Sequence, residues 1–252
     1  MPRMRIVTRG DDSGSCHSAN KAIADAFNHG VLRNTSIMVP APVFREAARM
    51  YRDLEGFCIG LHATITDEWN TNRWGPVLGA EKVPSLVMED GTFFKSTQAL
   101  WDNNPDNDEI LAEFKAQLEM ARSEGLNIEY MDSHMGFSWF EGLAPRLQAF
   151  ADAEGLVHRP EGLSRLPRIE GEFSDPVERM LATLDAAETG KTYLIVGHPC
   201  YDSGDIQQMT YGDHLPGEIA KERDWQRRMF MDERVIEYYR KNDIQPIAYT
   251  EC

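Results

Sequence analysis

The sequence predicts an α/β fold with a mostly parallel sheet, open or closed into a barrel, in one domain spanning residues 1–252. Three observations predict it. Short apolar runs alternate with amphipathic helical segments along the whole chain, the pattern of strands joined by helical crossovers. A length of 252 residues suits one α/β barrel as well as two small domains. No Pro/Gly/Ser-rich linker divides the chain into halves.

The elements follow in order. MRIVT at 4–8 predicts a first strand, and 18–29 a helix ending at His29-Gly30, a cation-capable residue before a C′ glycine. TSIMV at 35–39, a helix over 42–54 and FCIGLHATI at 57–65 come next. The helix over 106–124 carries the clearest signal, with Ile110, Leu111, Phe114, Leu118 and Ala121 on one face. Asn104 is its expected cap, Pro105 fits its first position, and Asp106, Asp108 and Glu109 suit the positive end of its dipole. Gly125 ends it. Strands are expected at NIEYMD (127–132), LVHR (156–159), TYLIVGH (192–198) and IQPIAYT (244–250). Helices are expected at 142–154, 175–189 and 230–241. Two long irregular stretches, 66–97 and 199–217, have the length of binding loops or lids.

The composition is 42% hydrophobic and 10% aromatic, which excludes a disordered chain. A formal net charge of −15 repels phosphate backbones and anionic lipid, so nucleic-acid and membrane partners are set aside. No targeting segment precedes the first strand, and Cys16, Cys58, Cys200 and Cys252 form no CxxC pair. The expectation is a cytoplasmic protein with reduced thiols.

In parallel α/β folds chemistry collects at the carboxyl ends of the strands. Polar residues of catalytic type stand there: Arg9-Gly10-Asp11-Asp12, Gly60-Leu61-His62, Asp132-Ser133-His134 and Gly197-His198-Pro199. Asp12, His62 and His134 form a candidate metal set, because one carboxylate and two imidazoles leave positions open for water and substrate. Asp11 is then a candidate general base and His198 a candidate acid for metal-assisted hydrolysis. The structural alternatives are a helix cap at Asp11-Asp12, a core histidine at His62 and a turn-shaping His198.

Asp11-Asp12 with SGSCHSANKAI after it, GLH at 60–62, MDSHMG at 131–136 and GHP at 197–199 together resemble the YdjC-like carbohydrate deacetylases. These include relatives of chitooligosaccharide and hopanoid-biosynthesis deacetylases. The similarity runs from about residue 4 to 250, with NTSIMVPAP (34–42) and DEWNTNRWGP (67–76) as further shared segments. The resemblance implies a distorted, incomplete (β/α) barrel and one divalent metal ion (Zn, Mg, Mn or Co). It also implies removal of an acetyl group from an N-acetylated mono- or oligosaccharide. By position, Asp12, His62 and His134 would be the metal ligands, Asp11 the base and His198 the acid or oxyanion partner. A homodimer is plausible on the same ground. The chain departs from the family in three places. Arg9-Gly10 stands where Asn-Ala is usual, Cys200 where Gly or Ala is common, and Gly136 where some members carry a second histidine. Cys200 is either a packed small residue or a thiol reaching the metal.

Expected substrate contacts are Arg73 and Trp74, with Trp69, in the loop after His62, and Arg228, with Arg223 and Arg227, before the last helix, the alternative for these arginines being a solvated helix flank. The tryptophans are either platforms for a sugar ring or packing for the loop. Tyr201, Asp202 and Asp205 are candidates for the opposite wall, and His17 for a supporting contact; His29, His158 and His214 read as structural or exposed. Alternatives on the same barrel are a metal-dependent sugar-phosphate isomerase, another metal hydrolase, or a non-catalytic sugar-binding protein. No lysine stands at a strand end to serve an isomerase.

Overall fold

A computed structural model describes residues 2–252. Every strand ladder in it is parallel. The strands are β1 (Met4–Ser13), β2 (Asn34–Ile37), β3 (Cys58–Ala63), β4 (Ile128–Ser133), β5 (Leu163–Arg165), β6 (Thr192–Gly197) and β7 (Ile244–Ile247). They lie in the order β4-β3-β2-β1-β6-β5, with β7 also paired to β1. The sheet curls into a half-barrel, the incomplete barrel expected. Eight α-helices cover it among the described residues: α1 (His17–His29), α2 (Phe44–Tyr51), α3 (Thr97–Asp102), α4 (Asn107–Ser123), α5 (Leu143–Glu154), α6 (Pro176–Asp185), α7 (Glu218–Met231) and α8 (Glu233–Lys241). None is long and apolar enough to cross a membrane.

Local chemistry explains the framework. In α4, Ile110, Phe114, Leu118 and Ala121 are fully buried, as the helical spacing requires. Two polar residues of that helix are buried beside them and tie down the long segment after β3. The Glu113 carboxylate accepts the backbone N–H groups of Val77 (2.9 Å) and Leu78 (3.0 Å). The Gln117 side chain bonds the backbone of Thr64 in both directions, at 3.2 and 2.7 Å. Gly60 on β3 has no side chain because the Tyr130 ring fills that space; a Cβ there would lie 2.2 Å from it.

Several boundaries differ from expectation. β1 runs to Ser13 rather than ending at residue 8, because pairing to β2 resumes at Ser13 after a bulge that holds Asp11 and Asp12. No strand forms over 156–159: Val157 makes only one bridge, to Tyr130, and the fifth strand is the short β5. Asp106, not Asn104, caps α4, its carboxylate accepting the Asp108 N–H at 2.7 Å. Gly30 ends α1 in an extended conformation; it is glycine because the Phe230 carbonyl oxygen passes 2.2 Å from where a Cβ would stand. The largest omission is α7, which lies N-terminal to the expected 230–241 helix and contains Arg223, Arg227 and Arg228.

Gly60→Ala is expected to lower the unfolding free energy by about 1–3 kcal/mol through overpacking against Tyr130, read as a reduced urea midpoint. An unchanged midpoint would mean the ring yields freely.

Candidate active site

The bulge in β1 sets the geometry. Successive side chains of a regular strand point to opposite faces. Asp12 has φ +60°, in the left-handed region that aspartate tolerates better than most residues. That break lets Asp11 and Asp12, adjacent in sequence, line one cavity. The cavity has a volume of about 320 Å³ and is also lined by His62, His134 and His198. The structure therefore brings all five expected metal and catalytic residues together. A hollow of about 390 Å³ lies at the amino ends of β3 and β4, but no histidine lines it.

Asp12, His62 and His134 are all buried. Asp12 Oδ1 lies 3.5 Å from His62 Nε2 and 3.4 Å from His134 Nδ1, and the two nitrogens are 3.3 Å apart. This triangle can hold a metal ion. Ligand atoms arranged tetrahedrally at about 2.1 Å from an ion stand about 3.4 Å from one another, which these spacings match. Asp12 Oδ1 is buried with no hydrogen-bond donor in bonding geometry. A buried carboxylate oxygen without a donor is costly unless a cation takes that place.

Each member of the triangle is held from behind. Arg223 Nη2 donates to Asp12 Oδ2 at 2.7 Å. His62 Nδ1 pairs with Asp132 Oδ1 at 3.1 Å, and His134 Nε2 with Glu68 Oε2 at 2.9 Å. A carboxylate on the far nitrogen orients an imidazole and raises its basicity as a ligand. The field of these groups shows in their proton affinities. Burial opposes charge on His62, but Asp132 and Asp11 raise its pKa to about 10. Burial likewise opposes charge on His134, and Glu68 with Asp12 raises it to about 9. Asp12 is held well below the usual carboxylate range: burial works against this, and Arg223, then His198, outweigh it. Asp132 is lowered to about 2 against its burial, by Arg9 and His62.

Arg9 answers for the unusual residue before the paired aspartates. Its Nε and Nη2 donate to the two oxygens of Asp11 at 2.6 and 2.7 Å. Its Nη1 lies 2.8 Å from Asp132 Oδ2 and 2.7 Å from the Tyr249 hydroxyl oxygen. One guanidinium thus ties the candidate base to the carboxylate that orients His62. Across the cavity, the Gln226 carbonyl oxygen accepts both the backbone N–H of His198 (2.6 Å) and its Nδ1 (3.0 Å). Nδ1 therefore carries a proton, and Nε2 remains for the substrate.

The three residues expected to bind substrate are placed elsewhere. Arg73 pairs with Asp67 and donates to the Phe93 carbonyl, fixing the loop. Trp74 is 5% exposed and its indole N–H donates to the Thr66 carbonyl at 3.2 Å. Trp69 is fully buried, under Arg223 and against Tyr211. Of the two readings for these tryptophans, loop packing holds. Arg228 pairs with Asp175 and Asp232 outside the cavity. Tyr201 and Asp205 serve α1 rather than the opposite wall: Tyr201 donates to Asp25, and Asp205 accepts the backbone N–H groups of His17 and Ser18. His17 is exposed and pairs with Glu46. Cys200 is buried, 3.8 Å from Cys16 Sγ, and does not line the cavity.

Sequence reasoning missed Glu68 and Gln226, and of the three arginines it offered as substrate contacts it is Arg223 that lines the cavity, bound to Asp12 rather than aimed at substrate. Glu68 sits inside a loop that Asp67 organises by accepting the N–H groups of Trp69 (3.2 Å) and Trp74 (2.9 Å). Arg223 and Gln226 fall with Ile219 and Phe230 on one stripe of α7, at helical spacing; because half of that stripe is polar, an apolar-periodicity search passes over it.

The sequence profile of the YdjC-like protein family matches residues 5–241. The chain is 30% identical to a carbohydrate deacetylase of Geobacillus stearothermophilus over 210 residues, 80% of this chain and 81% of that protein. It is 26% identical to a carbohydrate deacetylase of Thermoanaerobacter pseudethanolicus over 97% of this chain and 98% of the relative. A solved Enterococcus faecalis V583 structure, described as a cellobiose-phosphate cleavage protein, superposes with a TM-score of 0.78 at 22% identity, covering 99% of this chain and 98% of its own; this likeness is one of fold.

The pKa values make a prediction for protein stripped of metal by a chelator. Both His62 and His134 sit above the ordinary histidine value of 6.5 when folded. The stability they contribute is then fully present below about pH 6.5 and is lost as the pH rises through their folded values. The urea midpoint of the stripped protein should fall between pH 8 and about pH 10. A midpoint constant over that interval would contradict the charged imidazole pairs.

Proposed function

The chain belongs to the YdjC-like protein family, and from that premise we propose that it is a metal-dependent hydrolase that removes the acetyl group from an N-acetylated mono- or oligosaccharide. One observation carries the reading: Asp12 Oδ1, His62 Nε2 and His134 Nδ1 stand 3.3–3.5 Å from one another, and the oxygen among them is buried with no donor in bonding geometry. The donor set of one carboxylate and two imidazoles suits Zn, Mn or Co, and Mg less well.

The ion, when bound, supplies Lewis acidity that activates water and polarises the amide carbonyl. The protein's residues do the rest. Asp11 accepts the proton of the attacking water. Arg9 occupies one lone pair on each of its oxygens and fixes its direction, leaving a second lone pair on each. His198 Nε2 gives a proton to the departing sugar nitrogen as the amide C–N bond breaks, so that acetate and a free amine result. Gln226 accepts from His198 Nδ1 and keeps Nε2 pointed to the cavity through both protonation states. Arg223 neutralises Asp12, and Glu68 and Asp132 hold the two imidazoles in place. The cavity lining contains no lysine, so an isomerase on the same frame would need a carboxylate such as Asp11 or Glu222 as its carbon base. Four free cysteines, three of them buried, fit a reducing compartment such as the cytoplasm.

Acetate release from N-acetylated sugars, measured with Zn, Mn, Co or Mg after chelation, tests the activity. Release should stop on chelation and return with one of these ions; no release from any such sugar by folded, metal-loaded protein would overturn the reading. Asp11→Asn and His198→Gln should each keep the metal and lower kcat by about 10²–10⁴-fold, whereas His134→Ala should lose the metal itself. Calorimetry in buffers of different ionisation enthalpy should show protons released when Zn binds at pH 7, because both imidazoles are protonated there in the stripped protein. Binding with no proton release would count against the assigned ligands.

A further inference from the structure

Two sulfurs meet beside the cavity without lining it. Cys16 Sγ and Cys200 Sγ are 3.8 Å apart, and both residues are buried and free. Their places are set by the segments that carry the chemistry. Cys16 opens α1, just past the turn that begins at Asp12. Ser15 closes that turn, its N–H and its hydroxyl both donating to the Asp12 carbonyl, at 3.2 and 2.7 Å. Cys200 follows His198-Pro199 at the end of β6, and its N–H donates to the backbone carbonyl of Arg223 at 3.3 Å. The pair therefore stands where the turn bearing Asp12, the strand end bearing His198 and the helix bearing Arg223 come together.

The two thiols are not equivalent. The Cys200 thiol, donating to Cys16, lowers the Cys16 pKa and outweighs its burial, with Arg223 adding to the effect. Cys200 itself is raised, by Cys16 and by burial. A readily ionised sulfur in contact with a protonated one is the arrangement of an attacking and a resolving cysteine. An S–S bond is about 2.05 Å long, so the sulfurs have a gap of about 1.8 Å to close. The segment over them, 199–217, is held on α1 by Asp205, which accepts the N–H groups of His17 (2.6 Å) and Ser18 (3.2 Å), and by the Ser18 hydroxyl on the Ser203 carbonyl. These bonds lie at or near the surface, so local opening admits a small oxidant without global unfolding.

We propose that Cys16 and Cys200 form a modification site: hydrogen peroxide converts them to a disulfide, and that bond holds the protein in a less active form until a thiol reductant opens it. The Cys16 thiolate attacks one peroxide oxygen and the O–O bond breaks. The departing hydroxide takes up the proton that Cys16 gave up, leaving water and a Cys16 sulfenic acid. The Cys200 sulfur then attacks the Cys16 sulfur, the S–O bond breaks, and hydroxide leaves with the Cys200 proton as a second water. The two thiols lose two electrons and the peroxide gains them. Joining the sulfurs draws the Asp12 turn towards the His198 strand end, and misplacing reacting groups by about 1 Å costs on the order of 10²-fold in rate. The loss of rate rests on the deacetylase reading; the bond itself does not.

The test uses zinc-loaded Cys252→Ser protein, which lacks the exposed thiol; zinc takes no part in redox chemistry. After treatment with hydrogen peroxide, a peptide map made without reductant should show the Cys16 peptide joined to the Cys200 peptide, and the intact mass should show the loss of two hydrogens per chain. The kcat/KM for acetate release from an N-acetylated sugar should fall at least about tenfold and recover with dithiothreitol. With Cys200→Ala added, the untreated rate should be unchanged, no link should form, and dimedone should label Cys16 instead. No link at any peroxide concentration that leaves the protein folded overturns the proposal, as does a link that leaves the rate unchanged. A loss of rate that Cys200→Ala shows equally, and dithiothreitol reverses equally, also overturns it. Untreated protein that releases no acetate would strike at the deacetylase reading, and the map would still decide whether the disulfide forms.

Discussion

The site depends on how a single carboxylate is buried. Asp12 occupies a left-handed backbone position in a strand bulge, and its two oxygens have different fates. One is tied to Arg223; the other faces two imidazole nitrogens and has no donor of its own. Burying a charge is expensive, and a single partner on one oxygen does not repay the cost of the other. The remaining architecture can be read as the means of holding that second oxygen in place: parallel strands that end together, a bulge that turns the chain, and a helix, α7, that delivers the arginine.

Around it the charges alternate. Arg9 lies between Asp11 and Asp132, Asp132 pairs with His62, and Glu68 pairs with His134. Asp11, Asp12, Asp132 and Glu68 are each faced by a cation or an imidazole. This explains how so many ionisable groups share one small cavity in a chain whose overall charge is −15. It also gives the arginine before the paired aspartates a structural task, since without it the buried Asp11 would stand beside the half-buried Asp132 with no cation between them.

The parts legible in the sequence were those that obey a period or a position rule. Ile110, Phe114, Leu118 and Ala121 announced α4, and the strand-end rule picked out Asp11, Asp12, His62, His134 and His198, which share one cavity. What escaped lay on elements that break such rules. Helix α7 turns Arg223 and Gln226 inward and Trp225 outward, so its apolar stripe is interrupted where function requires polar atoms. Glu68 reaches His134 from an irregular loop whose course is set by tertiary contacts to Asp67, Glu113 and Gln117. For Trp69 and Trp74 the sequence leaves platform and loop packing equally open, because their burial follows from contacts that no local pattern encodes.

The central claim is that one cation sits among Asp12, His62 and His134. Anomalous diffraction from crystals grown with a divalent transition metal tests it most directly. The account predicts one strong peak per chain within about 2.3 Å of Asp12 Oδ1, His62 Nε2 and His134 Nδ1. A peak lodged instead among Asp11, His62 and Asp132, which also approach one another closely enough to bind an ion, would contradict it, as would no peak at all.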